Sequence, residues 1–388
     1  MKPEPFEIAV PDEVLADLER RLANVRLPID VANDDWRYGV PRRYMEELIA
    51  YWRTGYDWRE HERRMNRYPH FKVTIDQVPI HFIHVTGKGP NPVPIILSHG
   101  WPWTFWDFEK TIGPLSDPAA YGGDPADSFD VVVPSLPGFG FSTPLTVTGI
   151  TFARVADLWV KLMRDVLGYD RFAAQGGDWG HLVSSQLGHK YPENLIGVHL
   201  SMAIPMDFFS APMPGPEAYP EDELHYYNQT QERMAHATTH VVVQSTDPQT
   251  VAYALHDSPA GLLAWLVQRR KWWSDCDGDV EKRFSKDDLI TLTMLYWVAE
   301  GYVGSARFYW ESKHDPWQPL DDRMPVVRAP TAVAIFPQEL AIMPSGLLRE
   351  YYNLDQLTYM ESGGHFAPAE EPDALVDDVR RFFRTRRS

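Results

Sequence analysis

The stretch FAAQGGDWGHLVSSQLGHKY, residues 172–191, decides the fold of this 388-residue chain. It opens with a short apolar run, passes through the turn GGDWG at residues 176–180, and continues at helical spacing over residues 181–191. A short apolar run bounded by glycine is typical of a strand buried on both faces. The sequence therefore predicts a strand, a tight turn and a helix, with Asp178 forced outward at the apex of the turn.

The rest of the chain extends this pattern of strands and helices. Apolar runs and alternation predict further strands at residues 71–75, 80–85, 93–97, 131–133, 195–200, 331–336 and 357–360. Helices are predicted over residues 11–27, from the N-cap Thr151 to Gly168, and near the end of the chain. Strands that alternate with helices imply parallel βαβ units, so we predict an α/β fold with a mostly parallel central sheet.

Two regions depart from that alternation. The segment from Trp36 to Phe71 mixes aromatic and charged residues, which predicts a meander strapped onto the core. Residues 205–320 are helical in period and rich in tryptophan, which predicts an inserted lid. The predicted parts are the N-terminal meander extension with the first strands (1–90), the first part of the core (91–204), the helical lid (205–320) and the second part of the core (321–388).

Composition restricts the partners and the compartment. A formal net charge of −17 disfavours binding to nucleic acid or anionic lipid. The sequence contains no run of about 18 apolar residues, so no membrane span is predicted. Residues 1–7 carry acids and prolines where a secretory signal would be apolar. Cys276 is the single cysteine of the chain, so no internal disulfide forms. We therefore expect a cytoplasmic protein.

The turn around Asp178 resembles the nucleophile elbow of α/β-hydrolases, where the residue between the glycines is presented above the sheet. A serine there performs acyl transfer, whereas a carboxylate suits attack on a saturated carbon that bears a leaving group. Alkylation of a carboxylate gives an ester that water can cleave, while alkylated serine would be a stable ether. The motif alone leaves open a glycine-rich turn whose aspartate is merely solvated or capping.

Two further residues fit the hydrolase order of nucleophile, acid and histidine. Glu339 follows the predicted strand at 331–336, and His365 follows two glycines after the next strand. A histidine can accept a proton from water near neutral pH, and a carboxylate can orient its ring. Among the 14 histidines, His365 is distinguished by those glycines and by its place near the end of the chain.

Backbone amides and a phenol complete the candidate site. By analogy, the amide of Trp101, in the segment HGWP at residues 99–102, and that of Trp179 form an oxyanion hole. One such substrate is an epoxide, whose ring oxygen is the leaving group and needs a hydrogen-bond donor. Tyr309, near the end of the predicted lid, can supply this donor without a metal. We predict no cofactor and no metal. The two tryptophans could equally be only pocket walls, and Tyr309 only a core residue.

Together these motifs resemble the microsomal and juvenile-hormone type of epoxide hydrolase, over nearly the whole chain. The matching segments are residues 6–11, 51–53, 56–60, 99–102, 135–142, 177–180, 257–262 and 307–309. The resemblance implies that Asp178 is the nucleophile and that His365 and Glu339 activate water. It also implies that Tyr309 is one of two lid tyrosines that bind the epoxide oxygen.

The chain departs from that family pattern in two ways. His240 stands where the second lid tyrosine is expected, four residues before Gln244. Either neutral His240 donates the second hydrogen bond, or another residue does, or Tyr309 acts alone. We also expect this protein to lack the membrane anchor of the microsomal members. The cluster Trp101, Trp103 and Trp106 also suggests the branch that serves enediyne or related polyketide biosynthesis, with a pocket for a rigid aromatic epoxide.

We therefore predict an enzyme of secondary metabolism that converts a bulky aromatic epoxide and water to a vicinal diol through an ester of Asp178. Its partners are the small-molecule epoxide and water, and a homodimer is left open. A haloalkane dehalogenase could use the same aspartate, but it lacks the N-terminal extension and the lid motif. A degenerate hydrolase that only binds an apolar ligand would not need Asp178, Glu339 and His365 together.

Overall fold

The computed structural model describes residues 2–387, apart from the side chain of residue 236, and its strands form one sheet of nine. The strands are β1 Glu4–Phe6, β2 His70–Ile75, β3 Val78–Val85, β4 Val93–Ser98, β5 Phe129–Pro134, β6 Phe172–Gly176, β7 Leu195–Leu200, β8 Val327–Ile335 and β9 Tyr352–Tyr359. Their spatial order is β1-β2-β3-β5-β4-β6-β7-β8-β9.

Pairing divides this sheet into two parts. β1, β2, β3 and β5 pair antiparallel in that order, whereas β5, β4, β6, β7, β8 and β9 pair parallel. Every residue of β5 and β6 is buried, as expected for parallel strands covered by helices on both faces. The predicted α/β fold with a mostly parallel sheet is confirmed.

Fifteen α-helices surround the sheet within residues 2–387. They are α1 Asp12–Ala23, α2 Arg42–Thr54, α3 Trp58–Met65, α4 Glu109–Ser116, α5 Phe152–Val160, α6 Trp179–Lys190, α7 Leu224–Ala237, α8 Thr239–Thr246, α9 Pro248–Asp257, α10 Pro259–Trp273, α11 Lys286–Val298, α12 Tyr302–His314, α13 Ser345–Tyr351, α14 Ala367–Glu370 and α15 Pro372–Arg384. Helices α7 to α12 lie in the chain between β7 and β8. The predicted four-part division stays a prediction. None of the described helices combines the length and the apolar composition that a bilayer crossing requires.

Local sequence signals account for most element boundaries. The side chain of Thr151 accepts a hydrogen bond from the Arg154 amide at 3.3 Å and caps α5. That helix continues as a π-helical stretch, Lys161–Val166, before Gly168 at φ 82°. The sequence did not predict strand β1, because this strand is three residues long and contains Pro5. Proline is tolerated there because an edge strand leaves one row of N–H groups unpaired.

The turn between β6 and α6 depends on close backbone approach. Asp178 has φ 49° and ψ −129°, a conformation that non-glycine residues rarely adopt. A Cβ atom on Gly180 would lie 1.9 Å from the Ser98 carbonyl oxygen, and one on Gly176 would lie 2.1 Å from the Gly180 carbonyl oxygen. Helix α6 therefore packs against the ends of β4 and β6 with no room for a side chain, and this packing places Asp178 above the sheet.

We expect Gly180→Ala to destabilise the fold by about 3 kcal/mol or more, since the new methyl group meets backbone atoms that cannot rotate away. Gly346→Ala is the matched control, because a Cβ on this helical glycine of α13 meets nothing within 4 Å. The control should leave stability unchanged or raise it by up to about 1 kcal/mol. Denaturant unfolding measures both. Equal stability of the two variants would contradict the close packing at Gly180.

Candidate active site

Three loops at one edge of the sheet bring the predicted catalytic residues together. Asp178 follows β6, Glu339 follows β8 and His365 follows β9. The carboxyl ends of neighbouring parallel strands meet at the same edge, so the three side chains converge. His365 Nε2 lies 3.1 Å from Asp178 Oδ2, and its Nδ1 lies 2.7 Å from Glu339 Oε1. The histidine ring thus bridges the two carboxylates.

The three side chains of this bridge are largely shielded from water, which strengthens the electrostatic interactions among them. The side chains of His365, Glu339 and Asp178 are 0%, 3% and 14% exposed. Burial alone would lower the pKa of His365, but the charges and hydrogen bonds of Glu339 and Asp178 raise it to about 10. Burial would raise the pKa of Asp178, yet His365 and the amides of Trp101 and Trp179 hold it below its usual value. In the free protein the ring is therefore an imidazolium between two carboxylates.

The segment after β4 presents its backbone to the same carboxylate. The Trp101 amide donates to Asp178 Oδ1 at 2.7 Å. This approach requires glycine at position 100, because a Cβ there would lie 2.2 Å from Asp178 Oδ1. The structure thus places both amides of the predicted oxyanion hole, those of Trp101 and Trp179, at Asp178. Their role in binding an oxyanion stays a prediction.

Sequence reasoning missed the residues that fix the His365 loop. The His365 amide donates to the Trp273 carbonyl oxygen at the end of α10, at 2.9 Å. The Glu370 carboxylate accepts from the Phe366 amide at 2.9 Å and from the Asp275 amide at 2.7 Å. Burial raises the pKa of Glu370 to about 7, although those two N–H groups oppose the rise. No periodicity or motif distinguishes Glu370, since its function depends on a tertiary contact.

The two candidate oxygen-side residues, Tyr309 and His240, contact each other. Tyr309 on α12 and His240 on α8 place Oη and Nε2 3.1 Å apart. The Trp101 ring stacks on His240 with centroids 4.7 Å apart and an interplanar angle of 10°. Burial raises the pKa of Tyr309 well above its usual value, so the phenol is protonated. Helices α12 and α8 therefore place a protonated phenol and an imidazole beside each other.

Asp178, His240 and Tyr309 all line one cavity of about 80 Å³. The remaining wall is mainly apolar and includes Leu182, Met202, Phe208, Met213, Met234 and Val241. The tryptophans in this lining are Trp179 and Trp273.

The expectation that Trp101, Trp103 and Trp106 line the pocket is therefore wrong. Trp103 packs edge-on against His365, with centroids 5.5 Å apart. Trp106 packs outside the cavity, near Tyr68 and Arg64. Spacing in the sequence did not reveal that the segment after β4 turns these rings away from the cavity.

Comparison with known proteins places the chain in a family. Residues 3–108 match the family described as epoxide hydrolase N terminus, and residues 93–303 match the alpha/beta hydrolase fold. A protein of Stigmatella aurantiaca (strain DW4/3-1) is 40% identical over 99% of this chain and 85% of its own length. Epoxide hydrolase 1 of Sus scrofa is 35% identical over 97% of this chain and 88% of its own. The chain belongs to the epoxide hydrolase family.

The likeness extends to solved members of the epoxide hydrolase family. The crystal structure of juvenile hormone epoxide hydrolase from the silkworm Bombyx mori superposes with a TM-score of 0.86. It is 29% identical, and the match covers 99% of this chain and 95% of that one. The N-terminal extension typical of the family is tied to the lid here, where Arg21 of α1 pairs with Asp257 of α9 at 2.6 Å.

The paired histidine predicts a pH-dependent contribution to stability. Because the pKa of His365 is raised from 6.5 to about 10, its stabilisation is fully present below pH 6.5 and is lost as pH rises through about 10. The difference in free energy of unfolding between wild type and His365→Gln should therefore shrink from about pH 6 to about pH 10. Denaturant titrations measure it, with exposed His256→Gln as the control. A difference that is constant across this range would rule out an imidazolium.

Proposed function

We propose that this protein hydrolyses an epoxide to a vicinal diol through an ester between the substrate and Asp178. One observation carries the proposal: an ionised aspartate lies in an apolar cavity with each oxygen held, one by Trp101 N at 2.7 Å and one by His365 Nε2 at 3.1 Å. A carboxylate so oriented is a nucleophile for a saturated carbon. The match of residues 3–108 to the epoxide hydrolase N terminus supports an epoxide over a haloalkane.

In the first step an Asp178 oxygen forms a bond to one epoxide carbon, and the bond from that carbon to the ring oxygen breaks. The ring oxygen becomes an alkoxide on the side of the cavity where Tyr309 lies. The protonated phenol of Tyr309 donates a hydrogen bond to this oxygen as charge develops on it. Asp178 has now lost its charge, because its carboxylate has become an ester.

That loss of charge converts His365 from an acid to a base. One of the two carboxylates that raised the pKa of His365 is gone, so the pKa falls and the imidazolium gives up its proton. The alkoxide takes up one proton as His365 loses one. The first step therefore leaves a hydroxyl group on the ester and a neutral imidazole. Glu339, bonded to Nδ1 at 2.7 Å, keeps the neutral ring oriented with Nε2 toward the ester.

The second step hydrolyses the ester. His365 Nε2 removes a proton from water, and the oxygen of that water attacks the ester carbonyl carbon. The amides of Trp101 and Trp179 stabilise the resulting oxyanion. The ester bond then breaks, the leaving alkoxide takes the proton of the new carboxyl group, and the diol leaves with an oxygen from the original carboxylate. The ion pair of Asp178 with His365 is thereby restored. The cycle consumes one epoxide and one water.

The mainly apolar lining of the cavity favours an apolar epoxide as the substrate. An aromatic epoxide fits if side chains of the wall move. Its volume of about 80 Å³ is smaller than the void of about 150 Å³ that is known to admit benzene. Met202, Met213 and Met234 lie in the wall, and methionine side chains change rotamer readily to fit a ligand. We infer that a bulky aromatic epoxide enters by displacing these side chains. The single cysteine and the net charge of −17 support a cytoplasmic location for the reaction.

Single turnover in heavy-oxygen water tests the ester route. With enzyme in excess, label should appear in the Asp178 carboxylate, and the first-turnover diol should carry none, because its new oxygen comes from Asp178. Mass spectrometry of the diol and of the peptide containing Asp178 measures both. Asp178→Ala should abolish turnover, whereas the exposed control Asp165→Ala should not. Label in the first-turnover diol would mean that water attacks the epoxide directly.

Removing the base should separate the two steps. In His365→Gln the carboxylate of Asp178 remains and still forms the ester, but nothing activates water, so hydrolysis should slow by about 100-fold or more. We expect intact-protein mass spectrometry to show an adduct with the mass of the epoxide. The adduct should be absent in the double variant with Asp178→Ala. A variant that turns over at the wild-type rate would refute the role of His365.

A further inference from the structure

The hydrogen bonds of His240 define its tautomer. Its Nδ1 lies 2.7 Å from the carbonyl oxygen of Ala237, one turn earlier in the chain. A backbone carbonyl can only accept a hydrogen bond, so Nδ1 must carry a hydrogen. In the neutral ring the other nitrogen, Nε2, is then a bare lone pair.

The surroundings keep that ring neutral. His240 lies between the Trp101 and Trp273 rings, with centroids 4.7 and 4.8 Å away, and is only 5% exposed. Burial and the nearby guanidinium of Arg269 lower the pKa of His240 to about 3, although the charge of Asp178 opposes this. Arg269 stacks on Trp265 at 4.2 Å and donates to the Thr239 hydroxyl at 3.4 Å, and none of the ion pairs among the described residues includes it. A second proton on His240 would face this uncompensated positive charge.

Tyr309 must therefore donate to His240. Its Oη lies 3.1 Å from Nε2, and a bare lone pair can only accept. The phenol ring is fixed edge-on against Trp101 and Trp179, with centroids 6.0 and 4.7 Å away. In the free protein the hydroxyl hydrogen of Tyr309 thus points at His240.

We propose that His240 is a hydrogen-bond acceptor that positions the hydroxyl of Tyr309, and not a second donor to the epoxide oxygen. This inference rests on the proposed function of Tyr309 as the oxygen-side donor. His240 is then a positioning residue. It orients the hydroxyl hydrogen of Tyr309, whose ring is held by Trp101 and Trp179, and it competes with the substrate for that hydrogen. The epoxide must therefore displace one hydrogen bond to be activated.

Nuclear magnetic resonance of the wild-type protein with ¹⁵N-labelled histidine tests the tautomer directly, because protonated and bare ring nitrogens have well-separated shifts. The His240→Phe spectrum assigns the signals. From about pH 6 to about pH 9 we expect a protonated Nδ1 and a bare Nε2. A protonated Nε2 would overturn the proposal. This measurement needs no substrate, so its outcome is independent of whether the protein hydrolyses epoxides.

The rate of ester formation gives a second test, in which the two roles predict opposite signs. His240→Phe removes the competing acceptor and leaves the Tyr309 hydroxyl free for the epoxide. The rate constant for alkylation divided by the epoxide dissociation constant should rise by about two- to tenfold, the equivalent of one net hydrogen bond. A fall of about tenfold or more would show that His240 is a donor.

Tyr309→Phe is the reference for loss of the donor and should slow alkylation by about 100-fold. Wild-type protein that forms no ester at all would refute the proposed function. In that case the tautomer found by resonance would still decide the hydrogen-bonding role of His240. Ester formation by wild type together with slower alkylation in His240→Phe would refute only the role of His240.

Discussion

His365 holds two buried carboxylates at once, through Nε2 to Asp178 and through Nδ1 to Glu339. Burial disfavours the ionised form of a carboxylate, and a positively charged partner offsets that cost. The imidazolium between them lets Asp178 stay ionised in an apolar cavity. Removal of one partner from a buried pair costs about 3–5 kcal/mol. The same interaction therefore supports the fold of the site and favours the ionised form of Asp178, which the proposed reaction needs.

The predicted lid contacts the His365 loop through the C-terminal end of α10. The end of α10 accepts the His365 amide at the Trp273 carbonyl, and Glu370 ties the Asp275 amide to the same loop. A lid that moved as a whole would pull His365 away from Asp178. The wall that can yield to a substrate is therefore the other side of the cavity, where Met213 precedes α7 and Met234 lies on it. The contacts of α10 with the His365 loop and the methionines near α7 therefore lie in different segments of the chain.

The sequence alone was enough to predict the elements that local rules control. Glycines at 176 and 180 signal the turn that presents Asp178, and Glu339 and His365 each follow a strand whose apolar run is legible. These features depend on residues close in the chain, as do the cap at Thr151 and the hairpin between β2 and β3.

What the sequence could not predict depends on contacts between distant segments. The direction of the Trp103 and Trp106 rings follows from how the segment after β4 packs against the His365 loop and the N-terminal extension. The hydrogen bonds of Glu370 join the His365 loop to Asp275, which follows α10 and lies 95 residues away in the chain. The tautomer of His240 depends on one carbonyl oxygen, whose direction no residue type encodes.

The histidine at position 240 changes the chemistry of the oxygen side. A tyrosine hydroxyl can donate and accept, whereas a neutral imidazole whose Nδ1–H is already bonded can only accept at Nε2. Proton donation to the leaving oxygen then falls to Tyr309, which must first leave His240. Under the proposed acceptor role of His240, such a site would favour epoxides that open with less help at oxygen. An aryl group on the attacked carbon has this effect, since it spreads the positive charge that develops as the carbon–oxygen bond breaks. The acceptor role of His240 and an aromatic epoxide are thus mutually consistent.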